Sequence, residues 1–214
     1  RAEWQGIIVA GTALLDHASI SHAAFGLKCE FRDDDDSLSV SNSIVGDNYG
    51  DGIYVYAENN AQAELNVTDS VVSDNSGHGI YVDAYNGTTR IESDLRGNEV
   101  SGNGKYGVHL YGRNGSASIL SQISGNTISG NSEYGVYVNH TYGSYSDHSL
   151  DNNEIHTSGK NLYARYYRAN SSSLISVANN EIHDGTAGIE FNLTNTSLSP
   201  QINDNKMFGH SQSG

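Results

Sequence analysis

Lys105 and Arg113 bracket the short stretch Gly107-Val108-His109-Leu110, and stretches of the same design before and after it bring in Asp83 and His140. A base that withdraws a proton beside a carboxylate, with a second cationic group to neutralise that carboxylate, is what elimination on a uronic-acid sugar requires. Lys105, Arg113, Asp83, His109 and His140 are therefore the candidate catalytic set, with Lys105 or Arg113 as the base. Any repeat of a polar chain offers some groups of this kind, so residue types alone do not make them a site.

A second set recurs at matching places. Tyr54, Tyr56, Tyr81, Tyr111, Tyr137, Tyr163 and Arg165 are the candidate ligand-binding residues. Flat rings stack on sugar faces, and polar tips bond hydroxyls. The same tyrosines are strong strand formers and would stabilise a sheet with no ligand at all.

Other features carry less. Asp33-Asp34-Asp35-Asp36 could offer oxygens to Ca²⁺, but four consecutive acids point in different directions and a solvated turn explains them as well. The nine histidines lack HxxxH or Cys/His ligand spacing, so no zinc site or other cofactor is expected. Cys29 falls where valines stand in other repeats and reads as a small buried hydrophobe. Sequons begin at Asn66, Asn86, Asn114, Asn139, Asn170, Asn192 and Asn195, and would carry sugar if the source glycosylates its proteins.

The net charge of −14 argues against a nucleic-acid partner, which needs basic surface to displace counterions. No apolar run approaches the roughly 18 residues of a membrane span. With 214 residues and a repeat running from end to end, we expect one domain over 1–214, a piece of a longer protein.

The elements that must position these residues come from that repeat. Gly52-Ile53-Tyr54-Val55 returns as Gly79-Ile80-Tyr81-Val82, Gly107-Val108-His109-Leu110, Gly135-Val136-Tyr137-Val138, Asn161-Leu162-Tyr163-Ala164 and Gly188-Ile189-Glu190-Phe191. Upstream, Gly26-Leu27-Lys28-Cys29 and Gly6-Ile7-Ile8-Val9 fill the same slot. A second marker, an Asn-x-aliphatic step, runs from Asn42-Ser43-Ile44 through Asp69-Ser70-Val71 and Asn98-Glu99-Val100 to Asn205-Lys206-Met207. Asn suits a tight turn whose copies stack, because its amide bonds neighbouring peptide groups and it tolerates left-handed backbone. Alternating runs such as Leu65-Asn66-Val67 precede the marker. Period-two patterning cut by Gly and Asn predicts three short strands per repeat and no helix. A period of 25 to 28 residues marks stacked units, so the expected fold is all-β, a right-handed parallel β-helix of about eight coils.

Alternation places Ile53, Val55, Ile80, Val82, Val108, Leu110, Val136, Val138, Leu162, Ile189 and Phe191 inside the coil. It places two columns outside: Tyr54, Tyr81, His109, Tyr137, Tyr163, Glu190, and Tyr56, Asp83, Tyr111, Asn139, Arg165, Asn192. Turns beside them add His78, Lys105, Tyr106 and Tyr134 at one end, and Tyr85, Arg113, His140 and Tyr166 at the other.

The stretch Asn126 to Val138 resembles the repeat of right-handed parallel β-helix proteins of the pectate-lyase-like superfamily, secreted or surface type. Trp4-Gln5-Gly6-Ile7 followed by Leu15-Asp16-His17-Ala18-Ser19-Ile20 is similar to their opening coils. In lyases and hydrolases of that kind the active site lies on the outward side of the Gly-aliphatic strand. Gly77-His78-Gly79 resembles the Gly-His-Gly of polygalacturonases, but it is the ordinary start of a repeat and the aspartate partners are missing. Tyr81-Val82-Asp83-Ala84-Tyr85 resembles half of an alginate-epimerase motif and lacks the Pro-His-Asp half. The resemblance implies the fold and says almost nothing of activity, since such proteins include lyases, hydrolases, epimerases and proteins without known activity. The first reading of the residues is a rigid extracellular or cell-surface module, non-catalytic, with a polysaccharide or surface glycan as partner on the tyrosine face. The alternatives are a lyase or epimerase on uronic-acid polymers, and a filament subunit that self-associates end to end through open strand edges.

Overall fold

Three parallel sheets wind round one apolar lumen. The computed structural model describes residues 4–32 and 36–211, and its 24 strands fall into three sheets of eight. Among the described residues there is no helix. The Gly-aliphatic stretches form the first sheet, as in Ile53–Glu58, Ile80–Tyr85, Tyr106–Arg113, Tyr134–Thr141 and Lys160–Tyr167. The alternating runs form the second, as in Gln62–Thr68 and Ser118–Ser124, and three-residue strands such as Glu99–Ser101 form the third. Every strand but the last of each sheet pairs in parallel with its copy one coil later, so that Ile53, Ile80, Val108, Val136 and Leu162 lie in one register. The expected β-helix of about eight coils is the observed one.

The parallel stacking explains the glycines that open the first-sheet strands. A Cβ on Gly79 would lie 2.7 Å from the carbonyl oxygen of Gly107 and 2.8 Å from Nδ2 of Asn103, closer than side-chain atoms pack. Glycine lets neighbouring coils meet there at the strand spacing of about 4.8 Å, and where Asn161 takes the slot, Gly185 leaves room for its side chain.

Inside, aliphatic residues line up by type. Ile53, Val55, Ile80, Val82, Val136, Val138 and Leu162 are fully buried, and each contributes about 1.5–3 kcal/mol. Ile189 and Phe191, expected in the lumen, are only partly buried, because they lie on the last strand of the first sheet with no copy stacked beyond them. His140 and Tyr166, expected in outward turns, point into the lumen and are completely buried. Each continues the inward alternation of its own strand, after Val136 and Val138 in one case and Leu162 and Ala164 in the other.

The Asn marker is real but one residue out in its first copies. Ser43 and Ser70, not Asn42 and Asp69, share the position of Asn98, Asn126, Asn153 and Asn180. Asn42 and Asp69 instead take the left-handed position just before it, with φ of 48° each, where later coils have Gly97, Gly125 and Asn152. The ladder asparagines are wanted for their amides. Asn126 Nδ2 donates to the Leu95 carbonyl at 2.9 Å and to Asn153 Oδ1 at 2.9 Å, while its own Oδ1 accepts from the backbone N–H of Asn98 at 2.9 Å. A second ladder of the same design, Asn48, Asn75, Asn103 and Asn131, closes the opposite corner.

Candidate functional site

Parallel pairing puts the outward side chains of the first sheet into true columns. Tyr54, Tyr81, His109, Tyr137 and Tyr163 follow one another in register. Their ring centroids are 5.1, 4.5, 4.9 and 5.4 Å apart, and the Tyr81 and Tyr137 rings lie within 15° of parallel to the His109 ring between them. His78, Tyr106 and Tyr134 extend the patch sideways, each 5.0 to 5.1 Å from a column ring. Eight aromatic rings thus touch in one continuous platform across five coils.

Strand spacing sets this pattern, since copies one coil apart sit at the distance at which aromatic rings stack. Tyr111 leans on it, stacked 5.9 Å from His109, whereas Tyr56 turns away and donates to Glu58 at 2.9 Å. Arg165 lies at the far end, its guanidinium 5.8 Å from the ring centroid of Tyr167.

The catalytic candidates do not come together as a set. Asp83 is 2% exposed, and Arg113 grips it with both arms, Nε to Oδ1 at 3.1 Å and Nη2 to Oδ2 at 2.8 Å. The Arg113 guanidinium lies between the rings of Tyr85 at 4.6 Å and Tyr111 at 5.1 Å. Burial pushes the Asp83 carboxyl up while Arg113 pulls it back down; the bidentate geometry makes this an ion pair, and it pushes Arg113 further up. A base needs the opposite shift.

His109 is 7% exposed between its tyrosine neighbours, with neither ring nitrogen hydrogen-bonded, and burial lowers it to about 2. His140 lies in the lumen, on the far side of the sheet from Lys105. Lys105 itself is exposed, and its charge helps to depress both His78 and His109. Burial is the larger cause, and holds His78 at about 4. The residues that sequence reasoning left out of the sets are His78, Tyr106 and Tyr134. Their signal was present as aromatic rings one residue ahead of the stretches that begin at Gly79, Gly107 and Gly135.

Asn139 points outward from the second column yet is 8% exposed, and its Oδ1 has no partner. Of the sequon residues, Asn86, Asn170, Asn192 and Asn195 are exposed, and Asn66 and Asn114 are half-buried. Among the described residues no group of three or more His, Cys, Asp or Glu is arranged to hold a metal ion, and three of the four acids at 33–36 lie outside the described residues. No helix of the described residues is long and apolar enough to cross a membrane.

A concave part of the surface lies on another sheet. An open groove of about 380 Å³ crosses the outward side of the second sheet, lined among others by Glu64, Glu92, Asp94, Leu120 and Asp147. Arg90 and Arg96 neutralise Glu92 and Asp94 there, which leaves the groove acidic.

No characterised sequence matches this chain. The A-module of the mannuronan C-5 epimerase AlgE4 from Azotobacter vinelandii shares the fold, with a TM-score of 0.52 and 18% identity over 93% of this chain. The chain spans 60% of that structure. The family profile described as "Right handed beta helix region" matches residues 6–121, which is 116 of 214 residues and so more than half. The chain belongs to the right-handed β-helix family.

Proposed function

We propose that this chain is a rigid extracellular module that binds a glycan along its aromatic platform and does no chemistry on it. The observation that carries the reading is the unbroken contact of eight rings on one face. Its six tyrosines are half-buried and face solvent in part, with His78 and His109 buried among them, and a patch of that continuity exceeds what scattered strand formers produce. It lies along the coil axis, as a linear polymer would. The non-catalytic part rests on the fate of the candidate bases, with Arg113 bound to Asp83 and His140 in the lumen.

The other reading, a lyase or epimerase on uronic-acid polymers, draws on the epimerase named among similar structures and on Lys105, a cation exposed at the platform edge. A glycan-array screen of the wild type beside Tyr81→Ala/Tyr137→Ala separates the two when ultraviolet absorbance of unsaturated products, which reports a lyase, and the proton NMR spectrum of the treated polymer, which reports C-5 inversion, are read alongside. Losing two stacked rings at about 0.5–1.5 kcal/mol each lowers affinity roughly fivefold or more. Product absorbance that vanishes in Lys105→Ala would establish the enzyme instead. Binding that is unchanged in the double variant removes the platform from consideration.

A further inference from the structure

His140 and His148 meet inside the coil. His140 is the last residue but one of the first-sheet strand Tyr134–Thr141 and His148 lies in the next second-sheet strand, so the pair bridges two sheets across the turn Tyr142-Gly143-Ser144. Their Nε2 atoms are 3.0 Å apart, one ring donating to the other. His140 Nδ1 faces Ser144 Oγ at 3.3 Å, and that hydroxyl donates to the Gly112 carbonyl at 3.0 Å. His148 Nδ1 has no partner. Room for the rings comes from small neighbours: a Cβ on Gly112 would lie 2.4 Å from His140 Nδ1, and Ser121 stands in register with His148.

The groups that face the pair are named by the register. Gly112 and Tyr166 flank His140, and Ser121 and Ile175 flank His148. Tyr166 stacks on His140 at 5.5 Å with its hydroxyl against Ser146 Oγ at 3.1 Å, and burial holds that phenol in its neutral form. Neither a carboxylate nor another cation stands among these neighbours. A proton arriving here enters a site closed off from the surface and meets no counter-charge among these neighbours.

We propose that this coil is an acid-operated break in the solenoid, in which protonation of the His140–His148 pair opens the turn Tyr142–Ser144 and loosens the strand that carries Tyr134 and Tyr137. The release of a bound glycan that would follow rests on the platform reading above; the opening itself does not. Burial lowers His148 to about 3 and His140 well below its ordinary value. Both rings are therefore neutral when folded, and the unfolded chain binds protons first. Stability is complete above the ordinary histidine range near 6.5 and is lost as pH falls from there toward 3. His78 and His109 are also depressed, but they lie on the outward face among the platform rings and away from the turn Tyr142–Ser144.

Hydrogen exchange read by mass spectrometry at about pH 7 and about pH 4.5, corrected for intrinsic rates, tests this directly. Protection of the segment 134–151 falls at least about tenfold more than that of 53–58 or 90–96. His140→Gln/His148→Gln, which keeps hydrogen-bonding groups that do not titrate, retains protection at the lower pH. Should that variant fail to fold, the wild-type map still decides where the chain opens. Protection that falls evenly along the chain, or a loss cancelled by His78→Gln/His109→Gln instead, overturns the proposal. Glycan binding is followed on the same samples. A chain that binds no glycan at about pH 7 sinks the platform reading and leaves the exchange result standing. Binding that persists through the local opening overturns the release.

Discussion

Asp83 and Arg113 show how far one residue's role depends on its neighbours. A carboxylate and a guanidinium that look like reagents in the sequence are, in the fold, a buried pair clamped between two tyrosine rings. Asp83→Ala leaves the guanidinium without its partner and should cost about 2–3 kcal/mol, discounted because Arg113 is a third exposed. Urea unfolding checks it, and a loss below about 0.5 kcal/mol would mean that water already screens the pair. Nothing in the sequence shows the 30-residue pairing of these two side chains, because it depends on how turns aim them. The tyrosine columns were legible, since alternation and stacking are both properties of spacing. His78 supplies a pH test of its own at this scale. Held at about 4 by burial, it stabilises the fold above its ordinary value near 6.5 and withdraws that support as pH falls through the window to 4. His78→Gln should flatten the acid side of a melting-temperature profile measured over that window.

At the scale of the element, the asparagine ladders close the corners. Each rung satisfies backbone groups that a turn would otherwise leave buried and unpaired. Asn126→Ala removes donors to the Leu95 carbonyl and to Asn153 and an acceptor for the Asn98 N–H, and should cost about 2–4 kcal/mol. Asn126→Ser, which imitates Ser43 and Ser70 in the same ladder, should recover part of it. Thermal unfolding of the two variants side by side checks the ranking; equal losses would show that the amide contributes no more than the hydroxyl. The sequence showed that ladders exist, but not their phase in the first coils. Ser43 follows Asn42 directly, and composition cannot tell a residue that holds the turn by its backbone from one that holds it by its side chain. His140 and Tyr166 were missed for a related reason. Polar rings at strand ends look like turn residues, although simple alternation from Val136 and Leu162 points both inward.

Over the whole molecule, each coil touches mainly the one before and the one after, so stability adds along the axis. Ile80→Ala and Ile182→Ala lie in different sheets and three coils apart, both fully buried. Each should cost about 2–5 kcal/mol, and the double variant should lose the sum within about 0.5 kcal/mol. Denaturant titration of all three chains gives the comparison, and a large departure from the sum would show longer-range cooperation than stacking supplies. Repetition made the solenoid readable from one sequence, whereas the acidic groove on the second sheet was not anticipated, since concavity depends on how sheets curve. The ring platform has one more consequence. Its spacing repeats with the coil, so a polymer lying along it meets nearly the same surface after each step of about 4.8 Å. Such a ligand has several almost equivalent berths and can slide between them without letting go. Departure then happens chiefly from the ends, and a longer chain gains residence time through the number of its placements as well as through the strength of any single one.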